Sequence, residues 1–174
     1  MQSIRSVKFL RFIVFIVLAV LFAFAAGAAR AAEHIVYPPP QQARTDIAHA
    51  LRTAAAQHKR VLLDFGGNWC PDCLVLDIYI HDSRNLPILE KNFVLVHVNV
   101  GRFDANLGLA EKYNIPLKKG VPALAVLSEH GKLLYSQKQG EFEAMGRMQS
   151  SAVTAFLVQW RPQRAGCSVT RVNC

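Results

Sequence analysis

The feature that most constrains the fold is a pair of cysteines, Cys70 and Cys73, which follows a short apolar run at residues 61–65. The apolar run predicts a buried β-strand. Pro71 favours the first turn of a helix, because a residue there has no intrahelical partner for its N–H. Residues 73 to about 80 are predicted to continue that helix. The sequence therefore predicts a strand, a tight turn and a helix, with both cysteines at the helix N-terminus.

Two cysteines in that place are suited to reversible disulfide chemistry. A helix N-terminus carries partial positive charge and unpaired N–H groups. Both favour the thiolate, which is the form of cysteine that attacks a disulfide. Cys70 is the predicted nucleophile that forms a mixed disulfide with a partner, and Cys73 is the predicted residue that resolves it.

Other uses of a cysteine pair have weaker support. A zinc site would want a second close pair of ligands, and Cys167 and Cys174 lie far along the chain at an atypical spacing. Covalent haem attachment needs histidine after the second cysteine, where Leu74 stands. A purely structural disulfide stays open for an exported protein. We predict redox chemistry and no metal site.

The N-terminus is typical of an export signal. Arg5, Lys8 and Arg11 precede an uncharged stretch at 12–26, and small residues then lead to a predicted cleavage before Ala32. The stretch also approaches the length of about 18 residues that crosses a membrane, so an uncleaved anchor is the alternative. Either way the basic cluster predicts that the rest of the chain lies outside the cytoplasm, in the periplasm or a similar compartment.

The chain is long enough for one ordinary domain. We predict a signal peptide or anchor at 1–31, a Pro-rich linker at 32–44, a domain at 45–162 and a tail at 163–174. Cys167 and Cys174 in the tail are predicted to form a small structural disulfide, since exported proteins commonly oxidise such pairs. A relay of electrons from these two cysteines to the first pair is the less favoured alternative.

The charge of the chain argues against a nucleic-acid partner. The formal net charge of +8 falls to +4 if residues 1–32 are removed. No basic stripe with interleaved aromatic residues is present, as nucleic-acid binding would require. A membrane contact is expected only if the leader is retained.

Hydrophobic periodicity predicts alternating helices and strands. Thr45 is the predicted N-cap of the first helix, whose buried face is formed by Ile47, Leu51, Ala54 and Ala55. Helices are predicted at 45–59, 73–80, 85–91, 106–113 and just before Pro162, and strands at 61–65, 93–100, 122–127 and 132–137. This order predicts an α/β fold with helices on both faces of the sheet and one antiparallel edge.

Three matches make the sequence resemble the thioredoxin family over roughly residues 45–160. Asp64 lies six residues before Cys70, Trp69 directly precedes it, and Val121-Pro122 comes directly before a strand. The resemblance implies a central mixed sheet with helices on both faces, and a thiol–disulfide oxidoreductase that needs no bound cofactor.

The resemblance also implies roles for single residues. Asp64 would be buried near Cys73 and accept its proton. Pro122 would be cis, and Val121 would offer backbone hydrogen bonds to an extended substrate segment. Trp69 and Pro71 would form part of the substrate contact surface.

His97 stands where thioredoxins carry a lysine near this aspartate. It is a candidate for tuning Asp64 or shuttling protons, while ordinary packing of a strand histidine is the alternative.

Asp72, between the two cysteines, favours one direction of electron flow. A negative charge close to Cys70 opposes its thiolate and favours the oxidised pair. The sequence therefore favours a reductant, nearer to about −270 mV than to about −120 mV on the scale of this family.

These features predict an exported disulfide reductase that acts on protein thiols and disulfides. A membrane-embedded thiol donor is the expected electron source. The alternatives are an oxidase or isomerase of folding proteins, or an assembly factor that binds copper(I) without catalysis.

Overall fold

The computed structural model describes residues 35–163. Five α-helices and four β-strands follow one another in this part of the chain. The helices are α1 (Ala43–Gln57), α2 (Pro71–Ile80), α3 (Leu86–Asn92), α4 (Leu107–Lys112) and α5 (Ser150–Trp160), and the strands are β1 (Arg60–Gly66), β2 (Phe93–Asn99), β3 (Ala123–Leu127) and β4 (Leu133–Ser136). The predicted leader and the predicted Cys167–Cys174 disulfide lie outside the described residues. Within 35–163, no helix is both long and apolar enough to cross a membrane.

The strands form one mixed sheet in the order β2-β1-β3-β4. Strand β1 pairs parallel with β2 and antiparallel with β3, and β3 pairs antiparallel with β4. The predicted antiparallel edge is confirmed in the pair β3–β4, and antiparallel pairing also extends to the central strand β1. Helix α4 has six residues and spans only about 9 Å. Strand β3 begins near the edge where β2 ends, since Ala123 pairs with Phe65 and Asn99 pairs with Gly66.

Helices cover both faces of the sheet, as predicted. Residues of β1 alternate between the faces, which places Leu63 on one side and Leu62 on the other. The first face packs against buried residues of α1 and α4, and the second packs against buried residues of α2, α3 and α5. The sheet is therefore buried on both sides, and its central strand is almost wholly apolar.

Helix α1 begins before the predicted cap. A 3₁₀ turn at Pro40–Gln42 leads directly into Ala43, so Thr45 is not an N-cap. Ala50 is buried on the inner face and Ala55 is exposed. Proline sets its own φ near the helical value, which explains why the helix starts from the Pro-rich segment. Most other boundaries lie within two residues of the prediction.

Candidate active site

Cys70 and Cys73 form a disulfide at the N-terminus of α2, with their Cα atoms 5.2 Å apart. Cys70 is the N-cap residue and has extended backbone, and Pro71 occupies the first turn. The backbone N–H of Cys73 points to Sγ of Cys70 at 3.2 Å. The two sulfurs differ in access, because Cys70 is 4% exposed and Cys73 is fully buried. A donor N–H beside the outer sulfur would stabilise that sulfur as a thiolate.

A second loop lies against the outer cysteine. The Val121-Pro122 peptide bond is cis, as the resemblance implied. The carbonyl oxygen of Val121 lies 3.5 Å from Sγ of Cys70.

The buried side chain of Gln137 holds this loop. Its amide donates to the carbonyl oxygen of Pro122 at 3.3 Å and accepts from the N–H of Leu124 at 3.2 Å. The sequence analysis assigned no role to Gln137. A buried polar side chain needs partners, and here they are Pro122 in the loop that faces the disulfide and Leu124 at the start of β3 directly after it.

Asp64 is fully buried near the carboxyl end of β1. Its Cα pairs with that of His97 across the parallel strands. Oδ2 lies 2.9 Å from Nδ1 of His97 and accepts a hydrogen bond from the hydroxyl of Tyr37 at 2.6 Å. Within residues 35–163, no hydrogen-bond partner reaches Oδ1. One carboxylate oxygen is thus held by two groups, while the other keeps its full capacity to accept a proton.

Tyr37 is a site residue that the sequence analysis missed. It belongs to the segment predicted as a linker, yet it is 1% exposed. A Cβ built on Gly66 would lie 2.5 Å from Oη of Tyr37 and 2.8 Å from Sγ of Cys73. The phenol and the inner sulfur therefore both lie beside this glycine, and the same phenol donates its hydrogen bond to Asp64.

Asn68 fixes Tyr37 in this place. Its side-chain oxygen accepts from the N–H groups of Val36 and Tyr37, both at 3.0 Å, and its amide donates to the carbonyl oxygen of Tyr37 at 2.8 Å. Because Asn68 lies in the turn between β1 and Cys70, the same turn positions the cysteine pair and the phenol. Burial, followed by the charge of Asp64, raises the pKa of Tyr37 well above its ordinary value, so the hydroxyl keeps its proton.

His97 connects Asp64 with a second carboxylate on α2. Its Nε2 lies 3.5 Å from Oδ1 of Asp77, and Nδ1 of His81 lies 3.0 Å from the same oxygen. Burial by itself lowers the pKa of His97. The hydrogen bond to Asp64 and the charges of Asp64 and Asp77 outweigh burial, so the pKa is raised above its ordinary value of 6.5.

Trp69 lies in a small aromatic and basic surface beside the disulfide. Its indole N–H donates to the carbonyl oxygen of Gly101. The ring of Phe103 meets it edge-on at 5.4 Å, and the guanidinium of Arg102 lies 5.2 Å from its centroid. Phe103 is 42% exposed. The sequence analysis missed Arg102 and Phe103, although they follow β2 at the carboxyl edge of the sheet, where ligands of α/β proteins commonly bind.

Asp72 is tied to a neighbouring loop. Its Oδ1 accepts a hydrogen bond from the N–H of Gly146 at 2.7 Å. This hydrogen bond offsets part of the negative charge of Asp72, which was predicted to oppose the Cys70 thiolate. Pro71, beside it, is exposed, so it is available for contact with a substrate.

A disulfide at a helix N-terminus, opposite a cis-proline loop and beside a buried aspartate, defines the class of thioredoxin-fold thiol–disulfide oxidoreductases. The thioredoxin-like family model matches residues 42–128. A disulphide isomerase from Xylella fastidiosa Temecula1 is 34% identical, with a TM-score of 0.69, and the match covers 74% of this chain and 98% of that one. The chain belongs to the thioredoxin-like family.

A more distant solved structure has the same fold. The reduced C-terminal domain of Neisseria meningitidis DsbD is 19% identical, with a TM-score of 0.50, and the match covers 68% of this chain and 96% of that one. A search of curated proteins found no match.

Proposed function

We propose that this chain is an exported disulfide reductase that works by dithiol–disulfide exchange at Cys70 and Cys73. The observation that carries the proposal is the asymmetry of the pair. Sγ of Cys70, the outer sulfur, accepts a hydrogen bond from the N–H of Cys73 at 3.2 Å. The inner cysteine, Cys73, is fully buried near Tyr37. The outer sulfur is thus prepared to attack, and the inner one to resolve the product.

The first step joins the protein to its substrate. The Cys70 thiolate attacks one sulfur of a substrate disulfide, and the other substrate sulfur leaves as a thiolate that takes up a proton. An extended substrate segment would pair with the backbone beside Val121, whose carbonyl oxygen lies 3.5 Å from the attacking sulfur. Trp69 and the exposed Phe103 would contact the substrate's apolar side chains.

The second step releases the substrate. The Cys73 thiol gives its proton to Asp64, and the resulting thiolate attacks Sγ of Cys70. The mixed disulfide breaks, the second substrate sulfur leaves as a thiolate, and the protein pair becomes a disulfide. Two electrons have then passed to the substrate, with the cysteine pair itself as the redox group and no bound cofactor.

The negative charge of Asp72 supports electron flow from the protein to its substrate. A carboxylate next to Cys70 destabilises its thiolate and so favours the disulfide form of the protein, which makes the dithiol a better reductant. The hydrogen bond from Gly146 weakens this effect without removing the charge.

Location and electron supply rest on the sequence. The basic cluster and apolar stretch before Ala32 support export across a membrane. A reductant in an oxidising compartment needs a continuing source of electrons, and a membrane-embedded thiol donor would supply them through exchange with the Cys70–Cys73 disulfide. Cell fractionation with N-terminal sequencing of the recovered protein tests export and cleavage together.

A second candidate function is disulfide isomerisation of folding proteins. It is favoured by the 34% identity to a protein described as a disulphide isomerase. The chemistry at Cys70 would be the same up to the mixed disulfide. An isomerase lets a substrate thiol resolve that intermediate, whereas a reductase resolves it with Cys73.

Redox equilibration of the full-length protein against dithiothreitol and glutathione buffers, with thiol trapping and peptide mapping, tests the proposal. We expect a reversible Cys70–Cys73 couple near about −270 mV. A potential near about −180 mV would favour the isomerase, and one near about −120 mV a disulfide donor. If the pair does not exchange with either buffer, the proposal is wrong.

A further inference from the structure

A line of titratable side chains leads from the buried aspartate to the protein surface. His97 lies 2.9 Å from Oδ2 of Asp64 through Nδ1, and 3.5 Å from Oδ1 of Asp77 through Nε2. His81 lies 3.0 Å from that same oxygen of Asp77. The exposed fraction of the side chains is 0% at Asp64, 16% at His97, 12% at Asp77 and 44% at His81, so the line begins in the core and ends at the surface.

We propose that His97, Asp77 and His81 form a proton path that connects the buried carboxylate behind the disulfide with the solvent. The proposal rests on the proposed dithiol–disulfide exchange at Cys70 and Cys73. It adds how the proton of the Cys73 thiol leaves the buried site. It does not depend on whether the protein works as a reductant or an isomerase, provided that Cys73 gives up a proton.

The burial of the site makes such a path necessary. Cys73 and Asp64 are both fully buried, and Tyr37 is packed over Gly66 beside them. An aspartate that has taken the thiol proton and cannot release it would be unable to act in the next cycle. Oδ2 of Asp64 already faces an imidazole nitrogen, so the first transfer needs only that the carboxyl proton lies on this oxygen, without movement of the ring.

The proton moves in balanced steps. Protonated Asp64 gives a proton to Nδ1 of His97, which becomes an imidazolium and then releases its Nε2 proton to Oδ1 of Asp77. The Asp77 carboxyl passes that proton to Nδ1 of His81, where the new N–H is also held by the backbone carbonyl oxygen of Asp77 at 2.9 Å. The exposed His81 ring then releases its Nε2 proton to water. When a donor reduces the disulfide, Cys73 takes up a proton again, and the same steps in reverse return His97 and His81 to their starting tautomers. Each group ends in the charge state in which it began.

Groups from three directions face the central histidine. Asp64 approaches from β1 and Asp77 from α2, and the ring of Tyr37 meets that of His97 edge-on at 5.0 Å from the N-terminal segment. Two carboxylates on opposite nitrogens suit an imidazolium as a transient state. The phenol holds Asp64 on its other side and directs that carboxylate toward the histidine.

The test follows release of the two thiolates from an aromatic disulfide after one equivalent is mixed with the reduced full-length protein. The first release reports attack by Cys70, and the second reports deprotonation of Cys73 and resolution. We compare the wild type with H97Q, D77N and H81Q between pH 5 and 8, an interval of about 1.5 units on either side of the ordinary imidazole pKa of 6.5. The matched control is H58Q, because His58 also lies 3.2 Å from a carboxylate oxygen, that of Glu129, but on the exposed surface.

We expect the second release to slow about tenfold or more in the three path variants and to stay unchanged in H58Q. Imidazole added to the buffer should restore the rate of H81Q, because a small base can replace an exposed ring but cannot repair packing. Equal second-release rates in the wild type and all three path variants at every pH would overturn the path and leave the proposed function intact. A wild type that never gives the second release would overturn both.

Discussion

The phenolic oxygen of Tyr37 lies 2.6 Å from Oδ2 of Asp64, although 27 residues separate them in the chain. The contact joins an N-terminal segment rich in proline to the central strand of the sheet. It places a hydroxyl that keeps its proton between the inner cysteine and the buried carboxylate. The inner side of the disulfide site is therefore covered by a residue that precedes the first helix.

Replacing Gly66 by alanine should disturb this closure. The added Cβ would meet Tyr37 and Cys73 at less than 3 Å, and overpacking of this kind typically costs about 1–3 kcal/mol. We expect G66A to lower the free energy of unfolding of the oxidised protein by that amount in urea titrations. G108A is the matched control, because a Cβ there meets nothing within 4 Å and alanine favours the helix by about 1 kcal/mol. Equal stability of the two variants would contradict the packing described.

Removing the hydroxyl of Tyr37 should destabilise the protein without unfolding it. In Y37F the ring still fills its place, but Asp64 loses the hydrogen bond of 2.6 Å. Depriving a buried polar group of a partner costs about 1–3 kcal/mol. Urea unfolding of the oxidised protein measures the loss. The control is Y113F, a second buried tyrosine outside this network, and an equal loss in both variants would mean that the bond to Asp64 contributes nothing specific.

The pKa of the His97 imidazole should lie above its ordinary value of 6.5. NMR titration of the oxidised protein, with the His97 resonance assigned from the H97Q spectrum, measures this. In D64N the main raising influence is gone while burial still lowers the pKa of His97, so its midpoint should fall. A midpoint that stays the same in D64N would show that the Asp64 contact does not control the ring.

The same raised pKa gives a stability prediction with a definite sign. A histidine whose folded pKa exceeds its unfolded value stabilises the fold fully below that unfolded value, near 6.5. The contribution is lost as the pH rises through the folded pKa. We expect the stability difference between wild type and H97Q to shrink over this interval, and a difference that grew with pH would contradict the assignment.

Asparagine at position 72 should raise the reduction potential. The D72N side chain keeps an oxygen that can accept the N–H of Gly146, so the change removes the charge and spares the loop contact. Loss of that charge stabilises the Cys70 thiolate and hence the reduced pair. A tenfold change in the equilibrium constant would appear as about 30 mV in glutathione equilibration. D46N, which removes the charge of a half-buried acid on α1, is the control, and a potential unchanged by D72N would show that the amide already cancels the charge.

Local sequence preferences predicted most of the helices and strands. The apolar run of β1 and Pro71 predicted the strand–turn–helix unit that positions the cysteines, because each of these preferences acts between neighbouring residues. The helix that ends before Pro162 was predicted in the same way. The sequence did not predict that β3 pairs antiparallel with β1, because that pairing depends on the tertiary structure and not on local preference.

The sequence by itself determined the reactive cysteine pair, its place at the N-terminus of a helix, and the family. All three depend on residue type and close spacing. Only the tertiary structure decided which groups surround the inner cysteine. Tyr37 comes from a Pro-rich segment, and Asp77 and His81 lie near the C-terminal end of α2, where no local pattern marks them. They meet at Asp64 and His97 because parallel pairing of β1 and β2 sets those two residues side by side, and a buried carboxylate must find its hydrogen-bond partners wherever the packed chain supplies them.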